Sequence, residues 1–333
     1  MKNATRAIPV DLLRILGASA IFYFHGGLVT GWPLSQWGEF AVATFIYLAS
    51  FCAMRYSPPA PGRTRSYWWS RFKAVYPTFA VISIILFAAS FLYSPRKTGF
   101  HYTGEDLAAN LLMVSQYVGR PWMTQPMWFV PFVLQLYLIL PFLVRTPVRL
   151  RTMLAAFVVS GAACAAVFAL LPTHADFANG VCRNWSPIFR LPEVLFGCIL
   201  ARSRSVAGAA APVAGYIACC ALFALSALPY PPALPTLLLP LKGAVVSLVL
   251  AAIAAVFLPF IKDKHAGIVG LFGRAAFPFF LLHGPGIGFV SDKFGRNIPA
   301  WILYFVLCWA AAIALMLALE KTLRRAKAGG AAG

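Results

Sequence analysis

The chain has 333 residues, of which 61% are hydrophobic and only 11% are charged. The apolar residues fall in runs of about 20 that are separated by short basic stretches, which is the pattern of a polytopic helical membrane protein. The net charge of +19 comes mainly from these short stretches, where Lys and Arg set orientation and contact anionic headgroups. We therefore expect membrane lipids as partners and exclude nucleic acid.

Apolar runs long enough to cross a bilayer recur along the whole chain. They lie at 8–29, 38–56, 74–94, 127–145, 151–172, 186–201, 207–228, 237–260, 266–290 and 299–320. The first run is long and has no cleavage site after it, so we expect it to remain as the first span. The prediction is an all-α polytopic bundle of about ten transmembrane helices.

A shorter amphipathic segment, 105–118, decides the orientation. If this segment crossed the membrane, Arg145, Arg149 and Arg151 would move to the outer side and the excess of inner positive charge would weaken. We therefore expect it to lie at the outer surface or to re-enter, with both termini in the cytoplasm. A single transmembrane domain, 1–323, and a disordered tail, 324–333, are expected.

Cysteine spacing predicts no metal centre. Six of the seven cysteines lie in apolar runs and only Cys182 lies in a predicted loop, so neither a disulfide framework nor a zinc site emerges. We expect no metal and no permanently bound cofactor.

The first apolar run carries ionisable residues on one helical face. Within LLRILGASAIFYFHGG, residues 12–27, Arg14 and His25 are eleven residues apart, which places them on the same face and about 16 Å apart along the axis. Asp11 lies one turn before Arg14. Arg14 can snorkel to the headgroups and His25 can bond a neighbouring helix, but ionisable groups inside a span usually face the bundle interior and mark function. Burial would keep His25 neutral, the form that a general base needs.

The Arg, ten intervening residues and a His, preceded by an Asp, resemble the opening signature of the bacterial acyltransferase type 3 family. These membrane acyltransferases modify surface and secreted glycans. Later segments in the same order are similar to further family motifs: RFKAVYPTF (71–79), MWFVPFVLQLYLILPFL (127–143), RLPEVLFGCILA (190–201) and AFPFFLLHGP (276–285). The resemblance covers most of the chain.

The resemblance implies a multi-pass enzyme of the bacterial inner membrane with cytoplasmic acyl-CoA as co-substrate. It implies transfer of an acyl group, most simply acetyl, to a hydroxyl of a glycan or of its lipid-linked precursor. His25 would be the general base, grouped with Asp11 as catalytic, and Arg14, Arg71 and Lys73 would contact the donor. The family commonly carries a second Arg at the position of Ala74. The neighbouring Lys73 can supply the positive charge, but its ammonium group is a point charge and cannot make the two parallel hydrogen bonds of a planar guanidinium.

Six further polar or aromatic residues are candidates for binding substrate. Trp128 and Gln135 are seven residues apart and share a helical face, although Trp128 is equally suited to the membrane interface. Tyr137 lies in the same run. The family resemblance includes a His at position 283, which implies acceptor positioning, while a helix-terminal His can also bond free carbonyls.

Arg190 and Glu193 are spaced three residues apart. They can neutralise each other on one helix face or bind the acceptor.

Two further alternatives stay open. Ten spans with scattered charges also describe a transporter or flippase of an anionic or lipid-linked substrate, although the chain lacks the paired Gly/Pro-broken runs typical of transporters. An acyl-enzyme is possible in principle, but the sequence contains no Gly-x-Ser-x-Gly elbow and offers no evident Ser or Cys nucleophile beside His25, so direct transfer is favoured.

Overall fold

The computed structural model describes residues 8–58, 62–92, 102–143, 150–171, 173–203, 206–225, 236 and 238–329. These residues form thirteen α-helices and no β-strand. In chain order the helices are α1 (Ile8–Thr30), α2 (Val42–Tyr56), α3 (Thr64–Leu92), α4 (Gly104–Leu111), α5 (Phe129–Leu143), α6 (Leu150–Leu170), α7 (Ala175–Asn184), α8 (Leu191–Arg202), α9 (Val206–Leu225), α10 (Leu239–Phe257), α11 (Asp263–Leu282), α12 (Pro285–Phe294) and α13 (Ile298–Gly329). The predicted all-α fold is confirmed.

Nine helical segments within the described ranges are long and apolar enough to cross a membrane. They are Ile8–Thr30, Ser35–Tyr56, Thr64–Phe91, Gln125–Leu143, Arg151–Leu170, Gly208–Leu225, Leu239–Phe260, Lys264–Leu282 and Ile298–Thr322. The chain is therefore a polytopic helical membrane protein. The loop residues Arg145 and Arg149, on which the predicted orientation partly depends, lie outside the described residues.

Three predicted boundaries differ from the structure. The helix α3 begins at Thr64, before the predicted run that starts at 74. Pro77 therefore lies inside the helix, where it removes one backbone donor without ending it. The predicted run 266–290 is divided, since α11 ends at Leu282 and Pro285 begins α12 at a position where proline is well tolerated. The third is the predicted run 186–201.

That run forms a four-residue 3-10 turn, Pro187–Arg190, followed by the 12-residue helix α8. It is too short to count among the nine candidate spans.

The described residues outside the spans include α4, which has eight residues and a capping box at Thr103. This short helix lies within the predicted non-crossing segment 105–118 and its flank. At the other end of the chain, α13 continues past residue 324, where we predicted that a disordered tail begins.

The chain divides into two compact units whose segments alternate along the sequence. The first unit contains residues 1–39, 76–127 and 249–333, and the second contains 40–75 and 128–248. The prediction of a single transmembrane domain stays a prediction.

In the first unit, α1 and α11 run parallel. A Cβ atom on Gly273 of α11 would lie 2.4 Å from the Cβ of Asp11 near the start of α1. Near the other end of both helices, the ring centroids of His25 and His283 are 5.2 Å apart. The contacts therefore follow the two helices in the same chain direction.

The last helix, α13, runs antiparallel to α11. Its early residue Tyr304 bonds the backbone of His283 at the end of α11, and its late residue Glu320 pairs with Arg274, with 3.4 Å between Oε1 and Nε. The start of α1 and the end of α13 therefore lie at the same end of this unit. A chain whose ends are on one side of a membrane must cross it an even number of times. If all nine candidate spans cross, a tenth crossing is therefore needed.

In the second unit, α8 runs parallel to α2. A Cβ on Gly197 would lie 2.5 Å from the carbonyl oxygen of Tyr47, and further along both helices Arg55 Nη1 donates to the carbonyl of Ala201 at 3.3 Å. The helix α8 thus extends along most of α2, which is itself part of a candidate span. We interpret α8 with its 3-10 turn as the additional crossing.

The contact at Gly197 generates the first prediction. Gly197→Ala would force a Cβ against the backbone of Tyr47, so we expect the thermal midpoint in detergent to fall by several degrees. Gly215→Ala in α9 is the matched control, because a Cβ at Gly215 meets no atom within 4 Å and alanine favours a helix. A Gly197→Ala protein as stable as the control would show that α2 and α8 do not pack this closely.

Candidate active site

The end of α11 places His283 beside His25. The ring centroids are 5.2 Å apart and the ring planes are inclined by 44°. His283 is fully buried, whereas His25 is partly buried. Neither ring nitrogen of His283 makes a hydrogen bond of normal geometry with the described residues. Because a buried polar atom without a partner is costly, this ring is a candidate to bind a further polar group.

Aromatic side chains surround the two histidines. The Phe279 ring is stacked on His283 with centroids 5.9 Å apart, and Phe280 lies 6.0 Å away. From α1, the Phe22 ring lies 6.2 Å from His283 and 5.8 Å from Tyr304. These rings give the imidazoles an apolar setting, in which electrostatic interactions are stronger than in water.

Tyr304 holds the turn that follows His283. Its hydroxyl donates to the carbonyl of His283 and accepts the backbone N–H of Gly286 at 2.9 Å. On the other side of the turn, a Cβ on Gly284 would lie 2.0 Å from Oγ1 of Thr124. The position after His283 therefore requires glycine, since the backbone approaches Thr124 closely.

The segment that supplies Thr124 is held by one buried amide. Nδ2 of Asn110 lies 2.9 Å from the carbonyl oxygens of Asp106 and Pro121 and 3.0 Å from Oγ of Ser115, and its two N–H groups are shared among these three acceptors. Its Oδ1 accepts the backbone N–H of Met123 at 3.1 Å. These contacts fix a stretch without regular helix, and they orient the residues that pack beside Gly284.

Asp106 stabilises the beginning of the same segment. Its carboxylate accepts the backbone N–H and the hydroxyl of Thr103, at 2.8 and 2.9 Å. Burial acts to raise the pKa of Asp106, but the bonds from Thr103 and the charge of Arg120 outweigh it and the pKa is lowered. The stability that this carboxylate contributes is therefore present above the ordinary aspartate pKa of about 3.9, and it is lost as the pH falls through the lowered value.

Arg14 pairs with Asp11 near the beginning of α1. The distance from Nη1 to Oδ1 is 2.9 Å, and the side chain of Arg14 is 34% exposed while that of Asp11 is 10% exposed. Asp11 precedes His25 by fourteen residues, which is about 21 Å along the helix. The structure therefore brings Asp11 to Arg14 and does not bring it to His25.

In the second unit, Arg71 lies between two tyrosine rings. Its Cζ is 5.0 Å from the ring centroid of Tyr67 and 5.5 Å from that of Tyr137. Three buried donors on this face of α3 make no hydrogen bond of normal geometry with the described residues: Nε of Arg71, the hydroxyl of Tyr67 and Nε1 of Trp68. A guanidinium beside buried donors of this kind is suited to bind an anion.

Lys73 does not join this group. Two residues beyond Arg71, it lies about 200° further around the helix. Its Nζ is 5.0 Å from the ring centroid of the exposed Trp69. Lys73, the candidate to replace the second arginine of the family motif, thus lies on another face of α3.

Trp128 and Gln135 make separate contacts in the second unit. Trp128 ends the 3-10 turn before α5, and its ring packs edge-on against Phe129 and Phe132 with centroids 5.7 and 6.1 Å apart. Nε2 of Gln135 donates to the carbonyl of Trp185 at 3.2 Å. Their predicted roles in substrate binding stay predictions.

Arg190 and Glu193 form the ion pair that their spacing predicts. Two parallel bonds join Nη2 to Oε1, at 2.7 Å, and Nε to Oε2, and the side chains are only 4% and 0% exposed. Each charge is therefore satisfied by the other within the second unit. A bidentate buried pair of this kind is costly to break by removing one partner.

Sequence reasoning missed Tyr304, Thr124 and the amide of Asn110. Each acts by holding backbone that is distant in sequence, so spacing along one helix gives no signal for it. The isolated Asn110 in an otherwise apolar stretch is the only local hint, since a buried amide needs several partners.

A polytopic helical bundle with two imidazoles in contact carries the residue type that general acid–base chemistry most often uses. The family model described as "Acyltransferase domain", that of the acyltransferase type 3 family, matches residues 9–321. The chain belongs to this family and is a membrane acyltransferase. No curated protein and no solved structure gives a match.

The bridge made by Tyr304 gives the second prediction. Tyr304→Phe leaves the N–H of Gly286 and the carbonyl of His283 without this partner, and we expect a loss of about 1–3 kcal/mol in stability. Tyr23→Phe is the control, because the hydroxyl of Tyr23 bonds only the carbonyl of Pro33 at an exposed site. Thermal unfolding in detergent compares the two variants, and equal losses would contradict the assigned bridge.

Proposed function

We propose that this enzyme moves an acyl group, most simply acetyl, from cytoplasmic acyl-CoA to a hydroxyl of a surface or secreted glycan or of its lipid-linked precursor. Family membership supports acyl transfer. The observation that carries the proposal is the position of His25, which lies in contact with a second imidazole in an aromatic setting. Neutral imidazole is the side chain best suited to accept a proton from a hydroxyl near neutral pH.

In the proposed reaction, His25 takes the proton of the acceptor hydroxyl. The acceptor oxygen attacks the thioester carbonyl and forms the ester bond, and the carbon–sulfur bond breaks. The departing thiolate takes the proton from His25 and leaves as free CoA. Direct transfer is favoured over an acyl-enzyme because the sequence offers no evident nucleophile beside His25.

For the donor we propose Arg14 as a phosphate contact. Asp11 holds the Arg14 guanidinium, and the side chain remains partly exposed near the beginning of α1. The distance from Arg14 to His25 is about 16 Å along the helix, which is comparable to the length of a pantetheine arm. A CoA bound at Arg14 would then present its thioester near His25. Asp11 thus serves as a positioning residue for Arg14.

Arg71 is the second proposed donor contact. Its guanidinium lies 5.0 Å from the ring of Tyr67, and a phosphate group could accept from Nε of Arg71 and from the buried hydroxyl of Tyr67. Tyr137, predicted to bind substrate, contacts Arg71 and is assigned to this group. Lys73 is proposed only as added positive charge on the same helix.

Trp128 and Gln135 are retained as candidate acceptor residues. Arg190 and Glu193 would have to open their mutual ion pair to bind a sugar, so a structural role fits them better. We place the enzyme in a bacterial inner membrane, with the glycan as partner. A transporter or flippase is not retained, because the chain belongs to an acyltransferase family.

Release of free CoA tests the proposed activity directly. Purified protein in detergent should bind acetyl-CoA and release CoA slowly, faster when a glycan acceptor is added. His25→Ala should abolish transfer while donor binding stays close to wild type, because the donor phosphates are held about three helical turns away.

His25→Gln should be as inactive as the alanine variant, since an amide keeps hydrogen bonding but cannot take a proton. A structural histidine predicts the reverse order, with glutamine tolerated. Activity in His25→Gln above roughly a tenth of wild type would refute the general base, because such catalysis contributes at least about a hundredfold.

Donor binding provides the fourth prediction. Arg14→Ala and Arg71→Ala should each weaken acetyl-CoA binding about tenfold or more, and Lys at either position should restore it only in part, because a point charge replaces a fork. Arg65→Ala, on an exposed residue at the start of α3, is the control. Unchanged donor affinity in Arg14→Ala would assign Arg14 to lipid headgroups.

A further inference from the structure

A histidine that acts as a general base needs a partner for its second ring nitrogen. That partner fixes the tautomer and the ring orientation, and it stabilises the imidazolium that forms. Asp11, which the sequence grouped with His25 as catalytic, pairs with Arg14 and lies about 21 Å from His25 along α1, so it cannot be this partner. The general base proposed above therefore needs another partner.

The ring that contacts His25 is that of His283. Two imidazoles joined by an N–H···N bond of normal length, about 2.9–3.0 Å, have ring centroids about 5 Å apart, and the observed separation is 5.2 Å. The two rings are therefore close enough for such a bond when a nitrogen of each faces the other. The ring nitrogens of His283 are also available for it, since neither makes a hydrogen bond of normal geometry with the described residues.

Packing alone does not account for an imidazole at position 283. Its neighbours Phe22, Phe279 and Phe280 are phenyl rings, and a phenyl group would fill the same space without burying two nitrogens. An unsatisfied buried polar atom costs about 1–3 kcal/mol. This cost is offset if a ring nitrogen of His283 makes a hydrogen bond during the reaction.

We infer that His283 is the positioning residue of His25, taking the place that a carboxylate occupies in other acyl-transfer sites. One nitrogen of His283 accepts a hydrogen bond from the N–H of His25, which leaves the other nitrogen of His25 free to take the proton of the acceptor hydroxyl. The inference deepens the proposed function and rests on it.

The end of α11 favours this arrangement electrostatically. The last carbonyls of a helix lack intrahelical partners and carry the negative end of the helix dipole. The helix ends at Leu282, and the ring of His283 lies near the carbonyl groups of Phe279 and Phe280, of which that of Phe279 also accepts the backbone N–H of His283 at 3.0 Å. A positive charge that appears on His25 during the reaction is therefore shared with a ring that lies against these carbonyls.

The proton balance of the step is simple. As the acceptor oxygen bonds to the thioester carbon, its proton moves to His25, whose opposite N–H then makes a charge-assisted bond to His283. When the carbon–sulfur bond breaks, the thiolate removes the proton from His25. His283 gains and loses no proton over the cycle.

Three variants at position 283 test the inference. His283→Phe matches the neighbouring rings and should fold, yet it removes both nitrogens, so kcat should fall about 10²-fold while KM for donor and acceptor changes less than about threefold. His283→Gln and His283→Asn keep an acceptor atom, and at least one of them should recover about tenfold in kcat over the phenylalanine variant. Initial rates of thiol release from acetyl-CoA, with acceptor present, give both parameters.

Phe305→Leu is the packing control, since the Phe305 ring packs against Phe22 and Phe279 behind His283 and the residue has no assigned role in the site. We expect it to change kcat less than about threefold. A kcat for His283→Phe within about threefold of wild type would overturn the inference. So would an equal loss in Phe305→Leu combined with no recovery in either amide variant, because packing would then explain the effect.

His25→Gln distinguishes this inference from the proposed function. If His25→Gln stays active, the general base itself is wrong, whatever happens at position 283. If His25→Gln is inactive and His283→Phe is active, only the role of His283 fails. The double variant should be no slower than His25→Gln alone, because residues that act as a unit are not additive.

Discussion

A polar group enclosed among apolar helices is stable only when another polar group satisfies it, and this constraint separates the roles of the ionisable residues in this protein. Arg190 and Glu193 satisfy each other through two parallel bonds and are almost fully buried. Arg71 and His283 are different, because each carries a buried nitrogen without a normal hydrogen bond to the described residues. The first pattern is that of structure. For the second we propose a donor phosphate at Arg71 and the N–H of His25 at His283.

The two histidines depend on the scaffold of the first unit for their contact. Parallel packing of α1 and α11 brings His25 to the end of α11, and antiparallel α13 delivers the hydroxyl that holds the turn after His283. The segment fixed by Asn110 packs against the same turn through Thr124. Several segments that are distant in sequence thus determine the position of one imidazole. A mutation in any of them can reduce activity without touching a reacting atom.

Sequence patterns predicted some features well because those features are local. Runs of about 20 apolar residues can satisfy their backbone in a membrane only as helices, and nine of the ten predicted runs contain helices of that length. The spacing of Arg190 and Glu193 predicted their ion pair, since residues three apart on a helix are neighbours. The boundaries at Pro77 and Pro285 were harder, because proline ends a helix in one context and is tolerated or begins one in another.

The sequence by itself determined the helical membrane fold, the shared face of Arg14 and His25, and the resemblance that family membership confirms. Helical periodicity and the cost of polar groups in lipid act over a few turns, so they can be read along the chain. Only the tertiary structure decided that His283 stands beside His25 and that Tyr304 and Thr124 hold the turn after it. Those relations depend on how separate helices pack and on which way each side chain points, and neither is encoded in the spacing of residues on a single helix.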